Sequence, residues 1–395
     1  MLIRIILLFG LTFAAFAALR AQTDTLPRVV VGAERLDLYL PMLAGKQVGL
    51  VVNPTARVGA THLLDTLLAR GVCVTRIFAP EHGFRGEEEA GEEVRNGLDV
   101  RTGTPVISLY GRKKKPSTTD LAFVDVVIFD IQDVGARFYT YISTLFYVLE
   151  ACAANDKPIL VLDRPNPNGH LVDGPLLEPD LESFVGIAPL PLAHGCTVGE
   201  LARYFTGEDW IWKGPRPSLT VVPCLHYTHH TPYDLPVKPS PNLPDSRSVL
   251  LYPSICLFEG TVASVGRGTD TPFQLIGHPD FPVQDFCFIP RCNTGAKSPL
   301  FDNQRCYGYD MRGISIDSLR ARSELDLHWL LDFYCEYPDK SRFFLKNNFF
   351  DMLAGTPELR RQIELGTSEA EIRASWQPGL DFFKSVRKPY LLYPE

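Results

Sequence analysis

The sequence predicts an α/β protein, with a Rossmann-like parallel sheet in an N-terminal domain and a smaller α+β C-terminal domain. Three observations predict it. From residue 46 to about 227, apolar runs of strand length alternate with amphipathic helical patterns, which implies parallel pairing through right-handed crossovers. One run, Val124–Phe129, is β-branched and apolar enough for a strand buried on both faces. After a stretch rich in Pro, His and Tyr, Thr228–Pro244, short strands and helices mix.

The chain opens with a cationic start, Met1–Arg4, an apolar run, Ile5–Leu19, and small residues before Ala21. This is the pattern of a signal peptide cut near Ala21, the run being short for a membrane span. Domains are therefore expected at 1–21 (signal peptide), 22–228 and 229–395. The mature chain is expected to be exported, periplasmic or extracellular, without stable membrane insertion. Val48–Val52 reads as the first strand, ending in Asn53-Pro54. A helix follows at Thr61–Arg70, with Thr61 as N-cap, Gly71 past its end, and Leu63, Leu64, Leu67 and Leu68 as its stripe. Val72–Ala79 and Val106–Tyr110 are strands, and Ser117–Asp120 is a capping box. Phe138–Ala153 carries the best helical stripe. Pro158–Leu162, Ile187–Ala193 and Leu219–Pro223 are further strands, and Thr197–Glu200 caps a helix to Phe205. In the second half, helices are expected at Leu325–Tyr334 and Pro357–Leu365, after Ser368–Glu371, and at Leu380–Val386.

With 45% hydrophobic residues, the 395-residue chain has ample material for a core. A net charge of −7 gives no electrostatic case for nucleic acid, and the basic run Arg112–Lys115 reads as a solvated loop. No G-x-G-x-x-G, Walker or G-x-S-x-G motif occurs. Nine cysteines fall at irregular spacings without a C-x-x-C pair, and His229-His230 lacks metal-ligand spacing. No cofactor and no metal are expected. Cys73 and Cys152 read as buried thiols, and the C-terminal cysteines are candidates for one or two disulfides.

Open parallel sheets bind ligands beyond the carboxyl ends of their strands. Glu81, His82 and Arg85 follow the second strand; Asp130, Asp133 and Arg137 follow Val124–Phe129; Arg164 and Asn166 follow Pro158–Leu162; His194 follows Ile187–Ala193. Glu92 sits in Ala90-Gly-Glu-Glu-Val94, where small residues permit close approach of a ligand. Glu87–Glu89 read as a solvated acidic loop. Asp130 and Asp133 suit helix capping as well as chemistry. Arg137 suits either pairing with them or a bidentate grip on a substrate carboxylate. In the second half, Glu259 and Arg267, the latter between Gly266 and Gly268, are placed to cover the cleft from the other domain. Several placed carboxylates suit general acid/base work such as glycoside cleavage.

Ala79–Gly86 (APEHGFRG), Val126–Tyr141 (VVIFDIQDVGARFYTY), Leu162–Asn168 (LDRPNPN), Pro239–Pro244 (PSPNLP) and Phe258–Phe273 (FEGTVASVGRGTDTPF) resemble the exo-β-N-acetylmuramidase (NamZ) family, as do Ala374–Gly379 and Tyr390–Pro394. The resemblance spans nearly the whole mature chain and departs at Val262-Ala263, in place of a more polar residue. It implies release of terminal N-acetylmuramic acid from the non-reducing end of peptidoglycan fragments, in a cleft between two domains. It matches the family's favoured catalytic carboxylate to Glu92 and puts Glu81, His82, Asp130 and Arg137 in the other site motifs. The substrate's lactyl carboxylate calls for a cation: Arg85, Arg137, Arg164 and Arg267 are candidates, Arg137 first. Glu92 is the expected general acid, with Asp130 or Glu81 as base or stabiliser. The rivals are a zinc-dependent amidase or deacetylase and a non-catalytic muropeptide-binding protein.

Overall fold

The computed structural model describes residues 27–85 and 96–395. The expected signal peptide, and the acidic segment with Glu87–Glu89, Glu92 and Glu93, lie outside the described residues.

Seven strands build the central sheet: β1 (Gln47–Val52), β2 (Cys73–Ala79), β3 (Gly97–Leu98), β4 (Pro105–Ser108), β5 (Val126–Asp130), β6 (Ile159–Leu162) and β7 (Leu219–Val222). Their order is β7-β6-β5-β1-β2-β4-β3. Every neighbouring pair is parallel except β3 with β4. Alternate side chains serve opposite faces. Val51, Phe78, Val127, Phe129 and Val161 enter one apolar cluster; Leu50, Ile77, Ile128 and Leu160 enter another. The chain runs outward from β1 to β2 and β4, then returns to β5 on the other side of β1. The topological switch point therefore lies between β1 and β5, whose ends carry Asn53 and Asp130.

The helices pack as their stripes dictate. In α1 (Leu63–Ala69), Leu63, Leu64 and Leu67 are buried. Its cap is His62, not Thr61: His62 Nδ1 accepts the Leu64 N–H at 3.2 Å, while Thr61 pairs with Val58 in a small antiparallel arm. The best helix, α2, is Tyr141–Ala154, because 138–140 are taken up in the turn that enters it. The Thr197–Glu200 capping box opens α3 (Val198–Gly207) as expected. No long strand forms at 187–193: Pro189 and Pro191 offer no N–H, and only Ala193–His194 pairs, antiparallel, with Val172–Asp173.

The second half contains α4 (Ser246–Ile255), an antiparallel three-stranded sheet (Leu275–His278, Cys287–Phe288, Cys306–Asp310) and a set of helices. The two short terminal helices expected from the sequence are one 19-residue helix, α5 (Glu369–Arg387), continuous through Pro378. Burial of Ile372, Trp376, Leu380 and Phe383 along one stripe offsets the hydrogen bond that Pro378 cannot make. One apolar cluster joins both halves, from Phe129 and Ile142 to Leu251 and Phe333. The last residues return to the first half: Tyr393 donates to Asp163 Oδ2 at 2.6 Å, and Pro394 accepts from the His229 N–H. All nine cysteines are free thiols; Cys73 is exposed, and Cys152 is buried as expected. Among the described residues no helix is long and apolar enough to cross a membrane.

Candidate active site

Strand β2 delivers Glu81 to the carboxyl edge of the sheet. Pro80 accepts from the Gly83 N–H at 3.0 Å, and His82 takes a left-handed φ of 66°, so the chain turns sharply after Glu81. Glu81 Oε2 accepts the Thr140 hydroxyl at 2.8 Å, and its backbone carbonyl accepts the Tyr141 hydroxyl at 3.3 Å. The Tyr110 phenol hydrogen-bonds the same side chain. Burial, and then the Glu81 charge, push the Tyr110 and Tyr141 phenols up, so both stay protonated donors.

Glu81, His82, Tyr139, Thr140, Asn242 and Arg267 line one cleft of about 60 Å³ between the two halves. Tyr139 donates to the Pro239 carbonyl at 2.8 Å, and Asn242 Nδ2 to the Gly295 carbonyl at 2.8 Å. Residues 239–243 thus form a strap tied to both sides. Arg267 enters from the second half on a tight turn. Gly266 and Gly268 both have left-handed φ, and a Cβ on Gly268 would meet the Arg291 carbonyl at 2.7 Å. The Arg267 Nε donates to Glu259 Oε1 at 2.7 Å, and its guanidinium lies 5.1 Å over the Phe273 ring. Glu259 Oε2 in turn accepts from the Cys256 thiol at 3.4 Å. Burial works against the Arg267 charge, but Glu259 outweighs it and holds the guanidinium's pKa above its usual range. A larger groove of 860 Å³ lies elsewhere, beside α2 and Trp210. Its carboxylates, Glu150 and Glu182, come from α2 and a loop and not from a strand end, whereas the smaller cleft has Glu81.

The other expected site residues are placed differently. Asp130 is fully buried, with both oxygens held by Arg164 (Nε at 2.5 Å, Nη2 at 2.9 Å); Nη2 also reaches the Arg57 carbonyl. Burial pushes the Asp130 carboxyl up while the Arg164 fork pulls it back. Neither side chain is left to serve as base or as substrate ligand. Arg137 is fully buried too, and its guanidinium donates to the carbonyls of Pro175, Leu190, Leu353 and Ala354. Burial alone lowers it to about 9. It clamps the two halves together and does not line the cleft.

Asp133 Oδ2 accepts the Gly135 N–H at 2.7 Å and lies 3.4 Å from His194 Nε2, both residues being buried. His194 Nδ1 accepts the Cys196 N–H, which puts the ring proton on Nε2, facing Asp133. Asn166 bonds the Cys196 carbonyl and the Asn168 N–H. These are loop supports. Arg85 forms a bidentate pair with Asp99 (3.0 and 2.9 Å) beside a separate concavity that includes Arg57 and Arg101. Glu92 lies outside the described residues. Sequence reasoning missed Tyr110, Tyr139, Thr140 and Asn242. Asn242 sits inside the PSPNLP motif, the one signal that pointed to it. Among the described residues no group of three or more His, Cys, Asp or Glu side chains is arranged to hold a metal ion.

The chain is 40% identical to the Bacillus subtilis (strain 168) "Peptidoglycan beta-N-acetylmuramidase NamZ" over 409 residues, covering 98% of this chain and 97% of that protein. Two crystal structures of DUF1343 family proteins from Bacteroides fragilis NCTC 9343 share the fold. One has a TM-score of 0.86 at 45% identity, the other 0.80 at 28%; each comparison covers 93% of this chain and 100% of the solved one. The family models "Exo-beta-N-acetylmuramidase NamZ, N-terminal" and "Exo-beta-N-acetylmuramidase NamZ, C-terminal" match residues 48–247 and 250–393. The chain belongs to the exo-β-N-acetylmuramidase NamZ family.

Proposed function

We propose that this chain is an exo-acting glycoside hydrolase that releases terminal N-acetylmuramic acid from the non-reducing end of peptidoglycan fragments. One observation carries the reading: a strand-end carboxylate, Glu81, and a cation from the other half, Arg267, line one cleft. A carboxylate suits acid/base work at the anomeric carbon. A guanidinium suits the lactyl carboxylate, the group by which muramic acid differs from glucosamine. Arg267 takes this role in place of Arg137, which is fully buried with both terminal nitrogens used on backbone carbonyls. The activity named for the Bacillus subtilis relative supports the same substrate class.

Glu92 is the proposed proton donor. Its support is the likeness of Ala90–Val94 to the family's catalytic segment. Glu81 is then the base or charge stabiliser, since Asp130 is committed to Arg164. The donor carboxyl protonates the glycosidic oxygen, the bond from that oxygen to the anomeric carbon breaks, and water adds at that carbon. The water's proton goes to the carboxylate facing it. Attack by the substrate's own acetamido oxygen before water is a second route to the same products. The signal-peptide pattern at 1–21 supports export to the periplasm or beyond, where muropeptides are the partners.

The test is release of a chromogenic N-acetylmuramide. Wild type turns it over, and Glu81→Gln lowers kcat by roughly 10²–10⁴-fold. Glu92→Gln slows leaving groups that need a proton and spares those that do not. Failure of wild type to release product, or wild-type kcat in both variants, refutes the reading. Activity abolished by chelation and restored by zinc would support the amidase or deacetylase rival.

A further inference from the structure

We infer that a second binding surface leads from the Glu81 cleft along the outside of α2 and holds the glycan strand beyond the sugar being removed. The inference rests on the glycosidase reading. Tyr110, in contact with Glu81, packs on Phe184 with ring centroids 6.2 Å apart. Phe184 stacks on Tyr147 at 6.3 Å with an interplanar angle of 5°. Tyr147 and Phe146 then border the 860 Å³ groove, which Trp210 also lines, while Trp212 packs on Phe146 with ring centroids 5.5 Å apart. Tyr110, Phe184, Tyr147 and Phe146 are only partly buried, and Trp210 is 38% exposed. Contiguous, partly exposed rings form an apolar surface of the kind that marks a binding site.

The chemistry fits a glycan. Pyranose rings lay their C–H faces on aromatic rings, and polar edges remain free for hydrogen bonds. The strand also carries a carboxylate on every muramic acid. Lys114 Nζ lies 4.2 Å over the Phe184 ring, at the point where the track passes from cleft to groove. Lys115 borders the groove itself, paired with Glu150 at 3.0 Å. The basic run Arg112–Lys115 therefore has a use that its reading as a solvated loop did not give it. Geometry agrees: α2 runs antiparallel to the strands, so the rings step away from the carboxyl edge where Glu81 lies. An exo-acting enzyme keeps only the terminal sugar in its cleft, and the rest of the strand is the leaving group that must lie outside it.

The experiment compares wild type, Phe184→Ala and Lys114→Ala on two substrates: uncrosslinked glycan strands and the chromogenic N-acetylmuramide. On strands, KM rises about tenfold in each variant while kcat holds. On the small substrate neither constant moves. Lys114→Ala removes a partly exposed cation and keeps the test valid if Phe184→Ala fails to fold. Unchanged KM on strands in folded Lys114→Ala and Phe184→Ala overturns the inference, as does an equal loss on both substrates. So does a wild-type dimer that Phe184→Ala dissolves, which would assign the rings to a second copy of the chain. Wild type inert on both substrates would instead refute the glycosidase reading.

Discussion

Replacing Arg267 with alanine separates recognition of muramic acid from general damage to the cleft. Arg267 is the cation that the second half brings to the cleft, fixed by one 2.7 Å bond to Glu259 and by the Phe273 ring. Its Nε is used on Glu259, which leaves the two terminal nitrogens as the donors for a ligand. A charge-assisted hydrogen bond contributes about 1.5–3 kcal/mol, and each 1.36 kcal/mol is tenfold. Arg267→Ala should therefore lower kcat/KM on an N-acetylmuramide by roughly 10–150-fold. The matched N-acetylglucosaminide lacks the lactyl group, so its kcat/KM should change little and the preference between the two sugars should collapse. The assay is paired kinetics on the two chromogenic glycosides, with a thermal melt to confirm folding, because Glu259 loses its partner. Equal losses on both sugars, or an undiminished preference for the muramide, would refute the assignment of Arg267 to the lactyl carboxylate.

Arg137→Met should act on stability instead, costing more than about 3 kcal/mol in denaturant titrations because four buried carbonyls lose their donors, with near-normal kcat per folded molecule. Asp163 has its pKa raised by burial to about 6 in the fold, against 3.8 ordinarily. Its contribution is thus fully present below pH ~4 and lost as pH rises through 6, a change on the order of 3 kcal/mol. His62 runs the other way: burial lowers it from 6.5 to about 4, so its contribution is present above pH 6.5 and lost as pH falls toward 4. The two oppose each other between pH 4 and 6. Asp163→Asn should steepen acid destabilisation there, and His62→Asn, which keeps a capping side chain for α1, should reverse it. Melting temperatures across that window check both, and parallel pH profiles in wild type and variants would contradict them. Exhaustive chelation should leave turnover unchanged, as measured on the chromogenic muramide.

The middle of the sheet was legible in the sequence because β1, β5 and β6 are buried on both faces and read as apolar runs. The expected strand at 187–193 failed through its prolines, and α5 was read as two helices although the stripe from Ile372 to Phe383 runs on through Pro378. The site was legible as a set of strand ends and illegible as a set of partners. Asp130, Asp133 and Asn166 are polar residues after apolar strands, as Glu81 is. They turn inward because the loops they enter leave N–H and C=O groups, or a buried Arg164, that need them. Arg137 was preferred to Arg267 on local sequence, and distant segments decide the other way: the carbonyls of Leu353 and Ala354 engage Arg137, while Glu259 and the cleft engage Arg267. Tyr139 and Thr140 were hidden because the apolar stripe of α2 runs back to Phe138 in the sequence, whereas the helix starts at Tyr141.

The most direct test of the account is a crystal structure of the Glu81→Gln protein with N-acetylmuramic acid bound. The account predicts a sugar ring between residue 81 and the 239–243 strap, with its lactyl carboxylate within hydrogen-bond distance of the Arg267 terminal nitrogens. A sugar bound away from that cleft, or a lactyl group held by any other cation, would contradict it.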